Sequence, residues 1–187
     1  MIGQLPKSLV VGNMELPIET DFRNILTILA AINNPDLSGR QKMYIALKRL
    51  FRDCLEVIPD DLLEEAACKV KWFIDCGQEE EDKKPSARMI DWEQDEPILF
   101  PAVNKVAGME TRALPYLHWW TFMGYFMEIE SGTFSQVLAI RQKLSRGKKL
   151  EKWEQEFRRN NQKMCDIKKR YSAEEQAEID YWNKLLG

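Results

Sequence analysis

The residues best suited to chemistry are a single histidine, a Gly-Lys-Lys turn and a carboxylate-rich loop. His118 lies between Leu117 and Trp119 in a run of large apolar residues. A catalytic base needs an orienting partner and a nucleophile within reach, and no serine or cysteine motif stands nearby. We therefore expect His118 to be a core histidine with hydrogen-bonded ring nitrogens. A metal site would need ligands from scattered residues, so no metal is predicted.

The other two patterns also lack the spacing that catalysis requires. The Gly147-Lys148-Lys149 turn has neither the upstream glycine nor the following Ser or Thr of a phosphate-binding loop. It is interpreted as a break between two helices, whose lysines remain able to bind phosphates or acidic side chains. In the loop from Asp91 to Glu96, we expect Asp95 to cap a helix that has Pro97 in its first turn. We predict a protein without enzymatic activity and without a cofactor.

Composition places the chain among ordinary globular proteins. Its 187 residues can bury a core, and we expect one mainly helical domain spanning 1–187. The four cysteines match no zinc or CxxC spacing, so we interpret them as reduced thiols, mostly in the core. The sequence shows neither a signal-peptide pattern nor a membrane span, which favours a cytosolic protein.

Charge is segregated along the chain. Residues 60–96 hold thirteen acidic and five basic side chains, a net charge of −8. Residues 141–170 hold twelve basic and four acidic side chains, a net charge of +8. Such poles can pair within one molecule, pair head to tail between molecules, steer charged partners, or simply be solvated.

The spacing of apolar residues predicts a mainly α fold with about seven or eight helices. The helices surround a buried central helix at about 116–127, where nearly every side chain is large and apolar. Gly12-Asn13 predicts a small N-terminal β-hairpin. The polar, charged segment 78–86 is interpreted as a mobile acidic loop. Residues 148–187 are predicted to form a basic helical arm and a terminal helix.

The arm contains a heptad pattern about three repeats long. Leu150, Phe157, Met164 and Tyr171 are spaced by sevens, and Trp153, Asn160 and Ile167 follow each by three. This pattern fits either helix packing on a partner or an amphipathic helix docked on its own core. The bases around Trp153 and Phe157 also suggest nucleic-acid binding, which the acidic pI of about 5.4 disfavours.

The chain resembles the bacteriophage gene-product-fifteen family of tailed phages and prophages of Gram-positive bacteria. The specific segments are 117–122 (Leu-His-Trp-Trp-Thr-Phe), 146–150 (Arg-Gly-Lys-Lys-Leu) and 154–157 (Glu-Gln-Glu-Phe). Asp91-Trp92, Ile140-Arg141 and Asn160 also match, as do Thr20–Arg23 and Pro59-Asp60. The genes of this family typically lie between the tail-tube and tape-measure genes.

The resemblance implies a role in tail morphogenesis, as a tail assembly chaperone in the host cytoplasm. Its expected partners are the tape-measure protein, the tail-tube protein and further copies of itself. A basic-arm nucleic-acid-binding or regulatory protein and a minor virion component are the alternatives. The residues expected to bind a partner share the basic arm and its approach: Arg141, Lys148, Lys149, Leu150, Trp153, Phe157, Asn160 and Met164.

Overall fold

A computed structural model of the protein describes residues 2–78 and 88–186. Within these ranges, short 3-10 turns and loops connect an N-terminal hairpin and a series of helices. The strands are β1 (Ser8–Val11) and β2 (Met14–Pro17). The helices are α1 (Phe22–Ile32), α2 (Gly39–Phe51), α3 (Leu63–Ile74), α4 (Glu96–Ala107), α5 (Trp119–Met127), α6 (Thr133–Ser145), α7 (Lys152–Asn160), α8 (Gln162–Cys165) and α9 (Ala173–Leu186). The mainly α fold with a small hairpin is confirmed.

The hairpin forms where the sequence predicts it. Strands β1 and β2 pair antiparallel, with Val11 opposite Met14 across a turn in which Gly12 has φ +57°. Glycine suits this position because a positive φ costs it no Cβ clash. Leu9, Val11 and Leu16 are buried in the main core, so the two strands gain stability from the helices they pack on.

The centre of the core is the segment 117–122, at the start of the predicted central helix. The Phe122 ring stacks on Phe22 of α1 with 4.7 Å between centroids, and Trp119 is buried beside it. Helix α5 begins at Trp119, later than the predicted residue 116, because His118 is extended and serves as the N-cap. Met127 is 57% exposed, so the helix is apolar all round but buried on one side.

The predicted acidic loop 78–86 lies outside the described residues, except for Gln78. None of the helices in the described ranges is both long enough and apolar enough to cross a membrane.

Candidate partner-binding surface and its internal support

The basic arm is joined to the body by a buried ion pair between Arg141 of α6 and Asp95. The two guanidinium nitrogens lie 2.6 and 2.7 Å from the two carboxylate oxygens, in a bidentate arrangement. Arg141 is 4% exposed and Asp95 is 1% exposed. The remaining N–H groups of Arg141 donate to the backbone carbonyls of Met89, Met164 and Cys165. All five donors of the guanidinium are therefore satisfied, as a buried arginine requires.

This arrangement corrects two expectations. Arg141 was expected on the partner-binding surface, but its buried position and its internal bonds leave it no access to a partner. Asp95 does precede α4 at the N-cap position, yet its side chain makes no capping hydrogen bond. Its carboxylate instead accepts from Arg141 and from the backbone N–H of Asp91. Charge pairing over a long sequence separation outweighs the local cap, because a buried guanidinium needs a counter-charge.

A second set of contacts fixes the chain that follows α8. Arg170 donates to both oxygens of Asp91 and lies 2.6 Å from a carboxylate oxygen of Glu93. The Gln94 amide donates to the carbonyls of Lys163 and Asp166 and accepts from the N–H of Lys168. The acidic and basic poles of the sequence thus pair within one molecule at this point.

The Asp91 carboxyl is kept ionised by the groups around it. Its burial would raise its pKa, but the backbone N–H of Gln94 and the guanidinium groups of Arg88 and Arg170 outweigh that effect. The net result is a pKa below the usual value of 3.8. Asp91 therefore keeps its negative charge in its buried position, where it can hold both arginines.

The apolar side of the arm packs on α6. Val137, Ile140 and Cys165 form a small buried cluster. The partly buried side chains packed against it include Leu150, Phe157 and Met164, three of the expected partner-binding residues. The arm therefore docks on its own core, which was one of the two interpretations of the heptad pattern.

The heptad itself is shorter than predicted. Helix α7 ends at Asn160, and Asn161 leaves the helical region with φ −127° and ψ +38°. Helix α8 ends at Cys165, so Ile167 and Tyr171 lie beyond it, outside any helix. Residues 163–170 are instead held by contacts with Arg141, Gln94 and Asp91.

The remaining four expected residues lie on the outside of the arm. Lys148 and Lys149 are exposed in the turn after α6, where Gly147 has φ +64°. Trp153 is 50% exposed, and Asn160, seven residues later on the same face of α7, is exposed as well. These residues form the candidate partner-binding surface, defined here as Lys148, Lys149, Trp153 and Asn160.

The turn that carries these residues is supported by a buried carboxylate that sequence analysis missed. The Glu154 side chain accepts from the Glu151 N–H in a capping box and from Lys143 of α6 at 2.6 Å. The Lys143 hydrogen bond is the main reason that the pKa of Glu154 lies below its usual value. The Glu151-x-x-Glu154 spacing was a detectable signal, although capping boxes usually begin with Ser or Thr.

His118 has a structural role, as predicted. Its Nδ1 accepts from the backbone N–H of Trp120, and its Nε2 lies 2.9 Å from the Pro6 carbonyl. The ring is therefore neutral with the proton on Nε2, which donates to Pro6. Burial lowers the pKa of His118 below 6.5.

The cysteines are free thiols in different environments. Cys165 is buried, Cys54 and Cys76 are half-buried, and Cys68 is exposed. Burial is the main cause that raises the pKa of Cys76 to about 11, so this thiol is protonated at neutral pH. In the part of the chain that the structure describes, no three His, Cys, Asp or Glu side chains converge as metal ligands would.

Comparison with curated proteins and with solved structures gave no match. The family model described as bacteriophage Gp15 protein matches residues 1–173, which include the hairpin, the core, the buried ion pair and the arm. The chain therefore belongs to the bacteriophage Gp15 family, which indicates a phage structural or morphogenesis protein.

Proposed function

We propose that this protein is a tail assembly chaperone that acts without catalysis in the cytoplasm of the host. In this role it binds the tape-measure protein and assists assembly of the tail tube. Family membership supports the broader role in phage structure or morphogenesis. The observation that carries the narrower proposal is Trp153, a large aromatic side chain left 50% exposed on a helix whose other face is docked.

An exposed tryptophan on a rigid support is a suitable anchor for a helical partner. Tryptophan is enriched among the residues that dominate binding energy, and pre-ordering of the surface reduces the entropy lost on binding. The arm is pre-ordered by the Arg141–Asp95 pair and by the Lys143–Glu154 contact. Lys148 and Lys149 beside it supply positive charge for acidic groups on the partner.

The test is co-expression with the tape-measure protein of the same phage, followed by pull-down in moderate and high salt. The expected result is a soluble complex that survives high salt, because apolar helix packing is not screened. Trp153→Ala should weaken the complex at least about tenfold, as truncation of a central aromatic contact does. Met127→Ala is the matched control, since Met127 is an exposed apolar residue on α5, outside the candidate surface.

A second candidate function is favoured by the bases of the arm. Lys148, Lys149 and Lys152 are exposed and form no ion pair among the described residues. A nucleic-acid-binding protein would lose affinity steeply as salt rises, because phosphate contacts release counterions. A nucleic-acid complex that dissociates between moderate and high salt, together with the absence of a tape-measure complex, would support this second function over the chaperone proposal. Finding the protein in purified virions would instead identify a minor structural component.

A further inference from the structure

An apolar groove with a volume of about 360 Å³ lies between α1, α2 and α3. Each helix contributes apolar residues at helical spacing: Leu29 and Ile32 from α1, Met43 and Leu47 from α2, and Ala67, Val70 and Ile74 from α3. Residues three or four apart lie on one face of a helix, so each wall is an apolar strip. Met43 is 48% exposed and Ile32 is 40% exposed, which means that the walls reach the surface.

The lining favours the side chains of a helix over a polar small molecule. Among the described residues, the polar members of the lining are Lys42, Lys71 and Asp75, with no hydroxyl, amide or imidazole group. Small-molecule sites instead place several polar groups to fix the orientation of a ligand. A groove between helices with apolar strips on its walls is the surface on which an amphipathic helix docks its apolar face.

The charges around the groove are mostly positive. Helix α2 carries four bases and no acid, and α1 carries no acid. Lys42 lines the groove, and Arg49 follows it by seven residues on the same face of α2. The acid in the described lining, Asp75, pairs with Lys71 at 2.7 Å, so this pair adds little net charge. The groove therefore attracts acidic side chains more strongly than basic ones.

We infer that the α1–α2–α3 groove binds an amphipathic helix of a partner protein whose apolar stripe is flanked by acidic residues. The stripe packs between Met43 and Ile32, and the acids lie beside Lys42 and Arg49. This surface shares no residue with the candidate partner-binding surface of the arm. The inference therefore does not depend on the chaperone proposal, and a loss of binding at Trp153 leaves it unaffected.

The test measures binding of a fluorescent synthetic helix to the full-length chain by fluorescence anisotropy. The acidic probe is a hydrocarbon-stapled peptide of roughly 15 residues, about four helical turns, because an unstapled helix of this length is marginal in water. Leucines at i, i+3, i+4 and i+7 form its stripe, and glutamates flank them. The basic probe has lysines in place of the glutamates and should bind at least about tenfold more weakly.

Met43→Glu should weaken binding of the acidic probe at least about tenfold, because it places a charge among the apolar walls. Met109→Glu is the matched control, since Met109 is also 48% exposed and does not line the groove. Lys42→Glu should weaken the acidic probe and strengthen the basic probe, a reversal that a change in the fold alone would not produce. Circular dichroism should show the same helix content in all these proteins.

Several results would overturn the inference. The acidic probe could fail to show saturable binding, bind no better than the basic probe, or bind Met43→Glu as it binds the wild type. Sedimentation velocity could show a wild-type dimer that Met43→Glu abolishes, which would assign the groove to a second copy of this chain. Ile179→Asp could raise the affinity for the acidic probe, which would assign the groove to α9 of the same chain. Trp153→Ala should bind the probe as the wild type does.

Discussion

Asp95 and Arg141 illustrate how a single residue pair connects two parts of the chain distant in sequence. Their carboxylate and guanidinium are removed from water, which costs solvation energy that mutual attraction and further hydrogen bonds must offset. Here Arg141 also donates to three backbone carbonyls. Met164 and Cys165 are the last two residues of α8, where helix carbonyls lack an intrahelical donor, and Met89 lies in a loop. The guanidinium therefore satisfies carbonyls that secondary structure leaves unpaired.

Arg141→Met tests how much this ion pair contributes to the stability of the fold. The substitution keeps a long apolar stem but leaves the buried Asp95 carboxylate without its counter-charge, so we expect a loss of about 3–5 kcal/mol in the free energy of unfolding. Urea denaturation followed by circular dichroism measures it. Arg158→Met is the control, because Arg158 pairs with Asp166 nearer the surface and should cost about 1 kcal/mol or less. Equal losses for the two variants would contradict the anchoring role of Arg141.

At the scale of elements, the arm owes its shape to the turn between α6 and α7. Gly147 has φ +64°, and the Lys148 N–H donates to the Lys143 carbonyl at the end of α6. This turn brings Glu154 back to Lys143 and lays α7 along α6. A change of backbone conformation at Gly147 would therefore move the whole candidate surface.

Two glycine-to-alanine substitutions should have opposite effects on stability. Gly147→Ala should cost about 1 kcal/mol, because a Cβ strains a left-handed backbone. Gly124→Ala, within α5 at ordinary helical φ, should gain up to about 1 kcal/mol from higher helix propensity. An added Cβ meets no heavy atom within 4 Å at either position, so steric clashes do not confuse the comparison. Thermal unfolding measures both, and a stabilised Gly147→Ala would refute the role assigned to the turn.

For the whole molecule, the segment 117–122 joins the N-terminal strand region, α1 and α3. His118 bonds the Pro6 carbonyl, Trp119 donates its indole N–H to Ile74, and Trp120 donates its own to Phe73. The Phe22 N–H donates to Leu117, and the Trp119 N–H donates to Thr20. Protonation of one ring at this junction therefore bears on the stability of the entire fold.

The free energy of unfolding should fall as pH drops below about 6.5. The unfolded chain binds a proton on His118 at the ordinary pKa, whereas burial lowers that pKa in the folded state. The free energy of unfolding therefore has its full value above pH 6.5. It decreases as the pH falls toward the folded-state pKa of His118, by up to about 1.4 kcal/mol per pH unit. Denaturation between pH 7 and pH 5 measures the slope. His118→Asn keeps a side chain able to cap α5 and should lack this slope, since His118 is the sole histidine.

Local chemistry in the sequence was sufficient to predict the mainly helical class, the hairpin at Gly12-Asn13, the structural histidine and the docking of an amphipathic arm as one of two possibilities. These features depend on the spacing of apolar residues and on turn chemistry within a few positions. The start of α5 at Trp119 was missed because an apolar run does not reveal which residue leaves the helical conformation to cap it.

The tertiary structure alone decided that Arg141 and Asp95 meet in the interior and that Leu150, Phe157 and Met164 face α6. It also decided that Lys148, Lys149, Trp153 and Asn160 remain outside. The physical reason is that burial and charge pairing depend on which distant segments come together, and residue spacing does not encode that choice.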